Sequence, residues 1–149
     1  MPDNKDLLIL NALKGNAKAS IARIAKETGL PATTVHNRIK NMEKEGVIKG
    51  YTTRVDNKKI GKEVAAYIAI TVDYKLLKEK KMTQYQLAES FGKLPFIEEV
   101  NIITGISDII LKMRVKSIDE LNNFVTKDLR NFDGVEKTQT MVVLSEVIN

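Results

Sequence analysis

Apolar positions recur at helical spacing in three short stretches, and the pattern changes to strand spacing near residue 64. Asp3 stands three residues before Asp6, ahead of Leu7, Leu10 and Leu13, which predicts a capped amphipathic helix. After Gly15-Asn16, Ser20 precedes Ile21, Ile24 and Ala25, predicting a second helix that stops at Thr28-Gly29. Leu30-Pro31 opens a third, because proline suits a first helical turn, with Val35, Ile39 and Met42 inward as far as Gly46. Val47-Ile48, the turn Lys49-Gly50 and Tyr51 to Val55 read as a two-stranded ribbon or wing. Residues 1–55 form a first domain on this reading, and the charged stretch 56–63 forms a linker.

From Val64 to Val72 the chain alternates, with Ile68, Ile70 and Val72 on one face and Tyr67, Ala69 and Thr71 on the other. A polar connection carrying Lys75, Lys78, Lys80 and Lys81 leads to a capping box, Thr83 with Gln86, before Leu87 and Phe91. Two strands, Ile97 to Thr104 and Asp108 to Val115, flank the turn Gly105-Ile106-Ser107. A second helix is capped by Ser117 with Glu120 and carries the stripe Ile118, Leu121, Val125, Leu129 and Phe132. Thr138 to Ile148 supplies the last strand. The order βαββαβ over residues 64–149 predicts a ferredoxin-like α+β domain. The segments Leu94 to Glu98 and Phe132 to Glu136 echo each other, each closing a helix, turning through Pro or Gly and launching a strand.

The strands are apolar on both faces: Met141 and Val143 alternate with Val142 and Leu144, and Ile110 accompanies Ile109, Leu111 and Met113. Two helices cover only one face of a four-stranded antiparallel sheet. A second copy over the other face, giving a homodimer, is the expected remedy.

Composition narrows the function. A chain of 149 residues that is 43% hydrophobic buries a real core, and with no Cys it has neither disulfides nor a thiolate nucleophile. Charge interrupts every hydrophobic run before a bilayer could be spanned, so a soluble, cytoplasmic protein without membrane partners is expected. One His, no Gly-rich phosphate loop and no HExxH or GxSxG element argue against an enzyme, a metal centre or a cofactor. The net charge of +5 is segregated: residues 1–63 carry 13 Lys and Arg against 7 Asp and Glu, and residues 64–149 carry 11 against 12. The first part is built to meet a polyanion, double-stranded DNA above all.

A helix-turn-helix needs a small residue in its first helix, Gly in the turn and apolar contacts between the helices; Ala25, Gly29 and Val35 stand there, with Ile24 and Leu30. The outward face of the third helix then holds Thr33, Thr34, His36, Asn37, Lys40 and Asn41, with Arg38 at an edge placed to fork a guanine. Lys49 and Arg54 in the wing are the expected phosphate contacts.

Residues 3–149 resemble the leucine-responsive/asparagine-type (Lrp/AsnC, or feast/famine) transcription regulators. The likeness rests on Asp3, Asp6, Ile24-Ala25, Gly29-Leu30, Thr34-Val35, Arg38-Ile39 and Glu45 to Tyr51 in the first domain, and on Thr104-Gly105, Asp108, Gly134-Val135, Thr138 and Thr140 in the second. It implies a winged helix-turn-helix joined to a ferredoxin-like effector and oligomerisation domain, dimers that associate into tetramers or octamers, and control by an amino acid or related metabolite. Lys18 stands where the family usually has Arg, Arg23 where it has Glu, and Pro31 where a Ser caps the recognition helix. Abundant Lys and Ile, few Arg and no Cys point to an A·T-rich, thermophilic archaeal source.

At the turn Thr104, Gly105, Ile106, Ser107 and Asp108, backbone N–H groups can face a ligand carboxylate while Asp108 meets its amino group. The resemblance puts the ligand beside this turn at a dimer interface and adds Thr138 and Thr140 to the effector set. Two functions use the same parts: a regulator modulated by a small metabolite, and a metabolite-independent oligomer that wraps DNA.

Overall fold

The structure, a computed structural model, describes residues 1–147 and divides into two compact units, Met1–Val55 and a second beginning at Asp56. In the first unit α1 spans Asn4–Gly15, α2 Ile21–Thr28 and α3 Ala32–Lys44. Asp3 and Asp6 form the capping box at the start of α1, and the Ser20 hydroxyl caps α2 by accepting from the Arg23 N–H. The core is Ile9, Ala12 and Leu13 against Ile24 and against Val35, Ile39 and Met42. The stripe expected through Leu7 is corrected here: Leu7 is 51% exposed and Ile9 fully buried. Positions 9, 12 and 13 follow the i, i+3, i+4 spacing of a helix face, whereas steps of three drift off it.

The expected wing ribbon does not form. Residues 47–55 pair in no ladder; the Ile48 N–H returns to the Met42 carbonyl at 3.0 Å, its side chain packs on the helical core, and the Tyr51 hydroxyl donates to Glu43 Oε1 at 2.7 Å. A hairpin this short, with only Ile48 packed on the core, has little to hold it.

The second unit opens with a compact turn over 56–63, in which the Lys62 N–H donates to the Asn57 carbonyl at 2.9 Å. Its elements are β1 Val64–Val72, α4 Tyr74–Glu79, α5 Gln84–Gly92, β2 Ile97–Ile102, β3 Ile109–Val115, α6 Ile118–Asn123 and β4 Val135–Val142. The sheet order is β2-β3-β1-β4 with every pairing antiparallel, the ferredoxin-like arrangement. Ile68, Ile70 and Val72 of β1 and Ile109, Leu111, Met113 and Val115 of β3 face Leu87 and Phe91 of α5 and Leu121 of α6 in one core. The two echoing segments launch β2 and β4 through the same turn: the Ile97 N–H donates to Leu94 O at 3.1 Å and the Val135 N–H to Phe132 O at 3.2 Å.

Three expectations for this unit change. The connection after Asp73 holds α4: Asp73 caps it and Leu77 is buried, a fold signal masked by the surrounding lysines. The helix after Ser117 keeps its hydroxyl cap but widens to a π turn over Phe124–Asp128 and tightens to a 3-10 turn over Leu129–Asn131, which buries Phe124 and leaves Ile118 exposed. The last strand begins and ends earlier than Thr138 to Ile148, and Ile148 lies outside the described residues.

The second sheet face is mixed. Ala65, Tyr67, Ala69, Ile110, Met141 and Val143 share it with a charged group in which Arg114, only 5% exposed, lies 2.8 Å from Glu98 and 2.6 Å from Glu146. Burial works against the charge of Arg114, and the hydrogen bonds it donates to Glu146 and Glu98 outweigh it and hold its pKa above the usual value.

Two backbone positions with φ above zero carry opposite consequences. Gly134 (φ 96°) is buried, and a Cβ there would run into Leu77 Cδ2. Lys81 (φ 54°) follows α4, where the Met82 N–H reaches Leu77 O and the Lys81 N–H reaches Lys78 O, a Schellman arrangement that glycine suits best. Gly134→Ala is therefore expected to lower stability by about 1–3 kcal/mol and Lys81→Gly to raise it by about 0.5–1 kcal/mol. Urea titrations of the two variants would disprove this reading if both moved the midpoint in the same direction.

Candidate nucleic-acid interface and effector turn

The buried stripe of α3 turns its opposite face outward. Thr33, His36, Asn37, Lys40 and Asn41 are exposed and Thr34 is half-buried. Pro31 at the N-cap supplies no side-chain acceptor, so the N–H groups of the first turn of α3 are uncapped; such a helix end attracts phosphate.

Arg38 departs from its expected place at a guanine. Its NH1 lies 2.8 Å from Asp3 Oδ2 and 2.8 Å from Asp6 Oδ1, so the guanidinium is tied to the first turn of α1. The hydrogen bonds to Asp6 and Asp3 raise its pKa, while the Asp6 N–H and then the Arg38 side chain hold the Asp3 carboxyl below its usual value. The sequence holds both acids and the arginine but gives no sign that residues 32 apart would meet.

Lys49 and Arg54 are exposed on the extended segment after α3. They line an open groove of about 610 Å³ with Lys14 and Lys18, over a floor that includes Leu10 and Leu13, and among the described residues no acid borders it. The sequence gives no sign that Lys14 and Lys18 join Lys49 and Arg54, because the turn between α1 and α2 lies about 30 residues before the wing; only the fold gathers the four cations.

In the second unit Gly105 (φ 129°) bends the chain between β2 and β3, and Ile106 at the tip is 98% exposed. Among the described residues, the N–H groups of Thr104, Gly105, Ile106 and Ser107 donate to nothing, so they can receive an anionic oxygen. Asp108, expected to meet an effector's amino group, is engaged inside the fold. Its carboxylate accepts from the Val72 N–H at 2.8 Å and from the Tyr74 hydroxyl at 2.9 Å, and its carbonyl accepts from Gln84 Nε2 at 3.1 Å. The cause is local: the β1–β3 ladder ends at Ile70 and Ile109, and the carboxylate of Asp108 takes the Val72 N–H just beyond that end. Desolvation and then the Asp108 contact raise the Tyr74 pKa.

Thr138 and Thr140 do not join the turn within one chain. They pair with Ile70 and Ile68 across β1 and lie half-buried on β4, with β1 between them and β3. Among the described residues no three His, Cys, Asp or Glu side chains gather to hold a metal ion, and no helix is long and apolar enough to cross a membrane.

Comparisons with known proteins agree with this geometry. Residues 2–49 match the family model for winged helix-turn-helix DNA-binding, and residues 65–149 match that for the Lrp/AsnC ligand binding domain. An uncharacterized HTH-type transcriptional regulator of Pyrococcus furiosus is 38% identical over 140 residues, 94% of this chain and 91% of that protein. The HTH-type transcriptional regulator FL11 of Pyrococcus horikoshii is 37% identical over 95% of this chain and 89% of its own. Both come from an archaeal genus, as the composition suggests. Among solved structures, AsnC of E. coli (TM-score 0.83, 29% identity) covers all of this chain and is itself covered to 96%. A transcriptional regulator of Neisseria meningitidis in complex with L-Met (TM-score 0.87, 22% identity) likewise covers all of it, at 94% of its own length. The chain belongs to the Lrp/AsnC family, and it is a transcriptional regulator, not an enzyme, with a DNA-binding unit followed by a ligand-binding one.

Proposed function

We propose that the protein works in the cytoplasm as a homodimer or larger assembly that binds pseudo-palindromic DNA through α3 and is modulated by an amino acid. The observation that carries this reading is the division of α3: Val35, Ile39 and Met42 are buried on one side, and Thr33, His36, Asn37, Lys40 and Asn41 stand open on the other. Hydroxyl, amide and imidazole groups at helical spacing suit base edges, and the cation-lined groove with Lys14, Lys18, Lys49 and Arg54 suits backbone phosphate.

The effector half of the proposal is modified by the geometry. An amino-acid carboxylate would meet the open N–H groups of Thr104 to Ser107, whereas its ammonium group needs a partner other than Asp108; residues such as Thr138 and Thr140 would come from another subunit. The L-Met complex of the Neisseria meningitidis regulator supports an amino acid as the ligand class. The internal duties of Asp108 favour, as a second reading, an assembly that wraps DNA without an effector.

For assembly, the outer sheet face with Tyr67, Ala69, Ile110, Met141 and Val143 supports a second copy as its cover. Val143 lies on this face and Val142 on the helix side, which selects the residue to charge.

Outcomes are expected for DNA binding, for assembly and for the effector. A footprint should span two half-sites about 10 or 21 bp apart. His36→Ala and Asn37→Ala should cost about 1–3 kcal/mol on that site and little on unrelated DNA, while Lys49→Ala or Arg54→Ala should weaken both alike; equal losses on both DNAs for Asn37→Ala would remove α3 as the reader. By light scattering the whole chain should be dimeric or larger at micromolar concentration and Val143→Asp should shift it toward monomer, since an unpaired carboxylate would be buried; a monomeric wild type would end the argument. A thermal-shift series with the twenty amino acids should show at least one that raises the melting temperature, and Gly105→Val should abolish that rise. Asp108→Ala should lower stability by about 1–3 kcal/mol through the stranded Val72 N–H while the ligand shift persists. A flat series across all twenty would leave the effector-free reading standing.

A further inference from the structure

The recognition helix is fastened to α1 through one side chain, and the fastening uses only part of it. Arg38 keeps 27% of its side chain exposed and places NH1 2.8 Å from both Asp3 and Asp6. The two carboxylates cannot follow it if it moves. Asp3 accepts from the Lys5 and Asp6 N–H groups at 2.8 and 3.0 Å, and Asp6 accepts from the Asp3 N–H at 2.9 Å, so both are set into the first turn of α1.

A guanidinium offers five N–H donors in a fixed plane, and NH1 supplies two of them. Among the described residues, Nε and NH2 of Arg38 donate to nothing. That leaves a side-on fork, permanently charged and held in one plane by the acids behind it, whose two parallel donors match two oxygens of a phosphate. The fork projects from α3 one turn after Thr34 and one turn before Asn41. The same two donors also fit the O6 and N7 of a guanine, so a comparison of selected and unrelated DNA separates a phosphate contact from a base contact.

We propose that Arg38 is a positioning residue that sets α3 against α1 through Asp3 and Asp6, and that its free Nε and NH2 edge binds a backbone phosphate of duplex DNA without reading a base. This rests on the DNA-binding role of the first unit. The acids orient the arginine, the arginine fixes the helix, and the same cation fastens the helix to the DNA backbone.

The test uses the full chain with two probes: a duplex that the wild type selects from a random-sequence library, and an unrelated duplex of equal length. Arg38→Met should lower affinity for both by a common factor of about 10 and make the logarithmic salt dependence shallower by about 0.9 on both, the signature of one lost phosphate contact. Arg38→Lys keeps the charge and loses the fork, so most of the slope should remain while affinity for both probes falls. In an Asp6→Asn background, Arg38→Met should cost less than in the wild type, because the two side chains act as one unit. A loss confined to the selected duplex would make Arg38 a base reader and overturn the proposal. An unchanged salt slope with a lowered melting temperature would reduce Arg38 to a clasp and overturn the phosphate contact. Fully additive effects of the Asp6 and Arg38 changes would overturn the positioning role. If Arg38→Met fails to fold by circular dichroism, the ratio of the two affinities for Arg38→Lys decides: a common loss supports the proposal and a selective one ends it. Failure of the wild type to select any duplex would instead remove the DNA-binding role itself.

Discussion

Where β1 runs out at Val72, the Asp108 carboxylate receives its N–H, and around that one bond four other pieces of the second unit come into register. The Asp108 N–H returns to Ile70 of β1, the Ile103 N–H reaches the Asp108 carbonyl after β2, Tyr74 fastens the start of α4 to the carboxylate, and Gln84 brings in the first residue of α5. The central strand pair and the crossover helices are thus pinned at the same end as the exposed turn through Ile106. Removing the carboxylate would release a backbone donor and a helix start together, at the base of that turn.

The first unit uses related chemistry. In Asp3 and Asp6, as in Asp108, a carboxylate that serves a backbone N–H also holds a side chain from elsewhere, Arg38 in one case and Tyr74 in the other. An acid already oriented by a backbone N–H loses little further freedom when it takes a second partner, so these contacts are favourable at a partly exposed surface where a free ion pair contributes little. Both units therefore place an anchored acid at the base of the feature that faces outward: α3 in the first, the β2–β3 turn in the second.

The sequence revealed most of the framework because its signals are local. Caps such as Asp3, Ser20, Thr83 and Ser117 each declare a helix start within four residues, and the period-two pattern of Val64 to Val72 declares a central strand. α4 does not stand out in the sequence because six residues among lysines carry too little periodicity, and the wing segment does not pair because alternation alone does not supply packing. The site was legible only in part. The exposed face of α3 follows from its spacing, whereas the capture of Arg38 by α1 and of Asp108 by Val72 and Tyr74 depends on separations of more than thirty residues that a single sequence does not display.

The sheet order also dictates when the fold can close. β1 is the first strand to be made, yet it lies between the third and the last, so its partners appear only when residues 109–115 and 135–142 emerge. Until then a strand with Ile68, Ile70 and Val72 on one side and Ala65, Tyr67 and Ala69 on the other waits with both edges bare. The helical unit ahead of it needs only short-range contacts and can be complete before the sheet begins. Synthesis therefore presents a finished DNA-binding head followed by an unpaired apolar strand, and the interval before β4 arrives is when a nascent chain of this kind is most exposed to pairing with a neighbour.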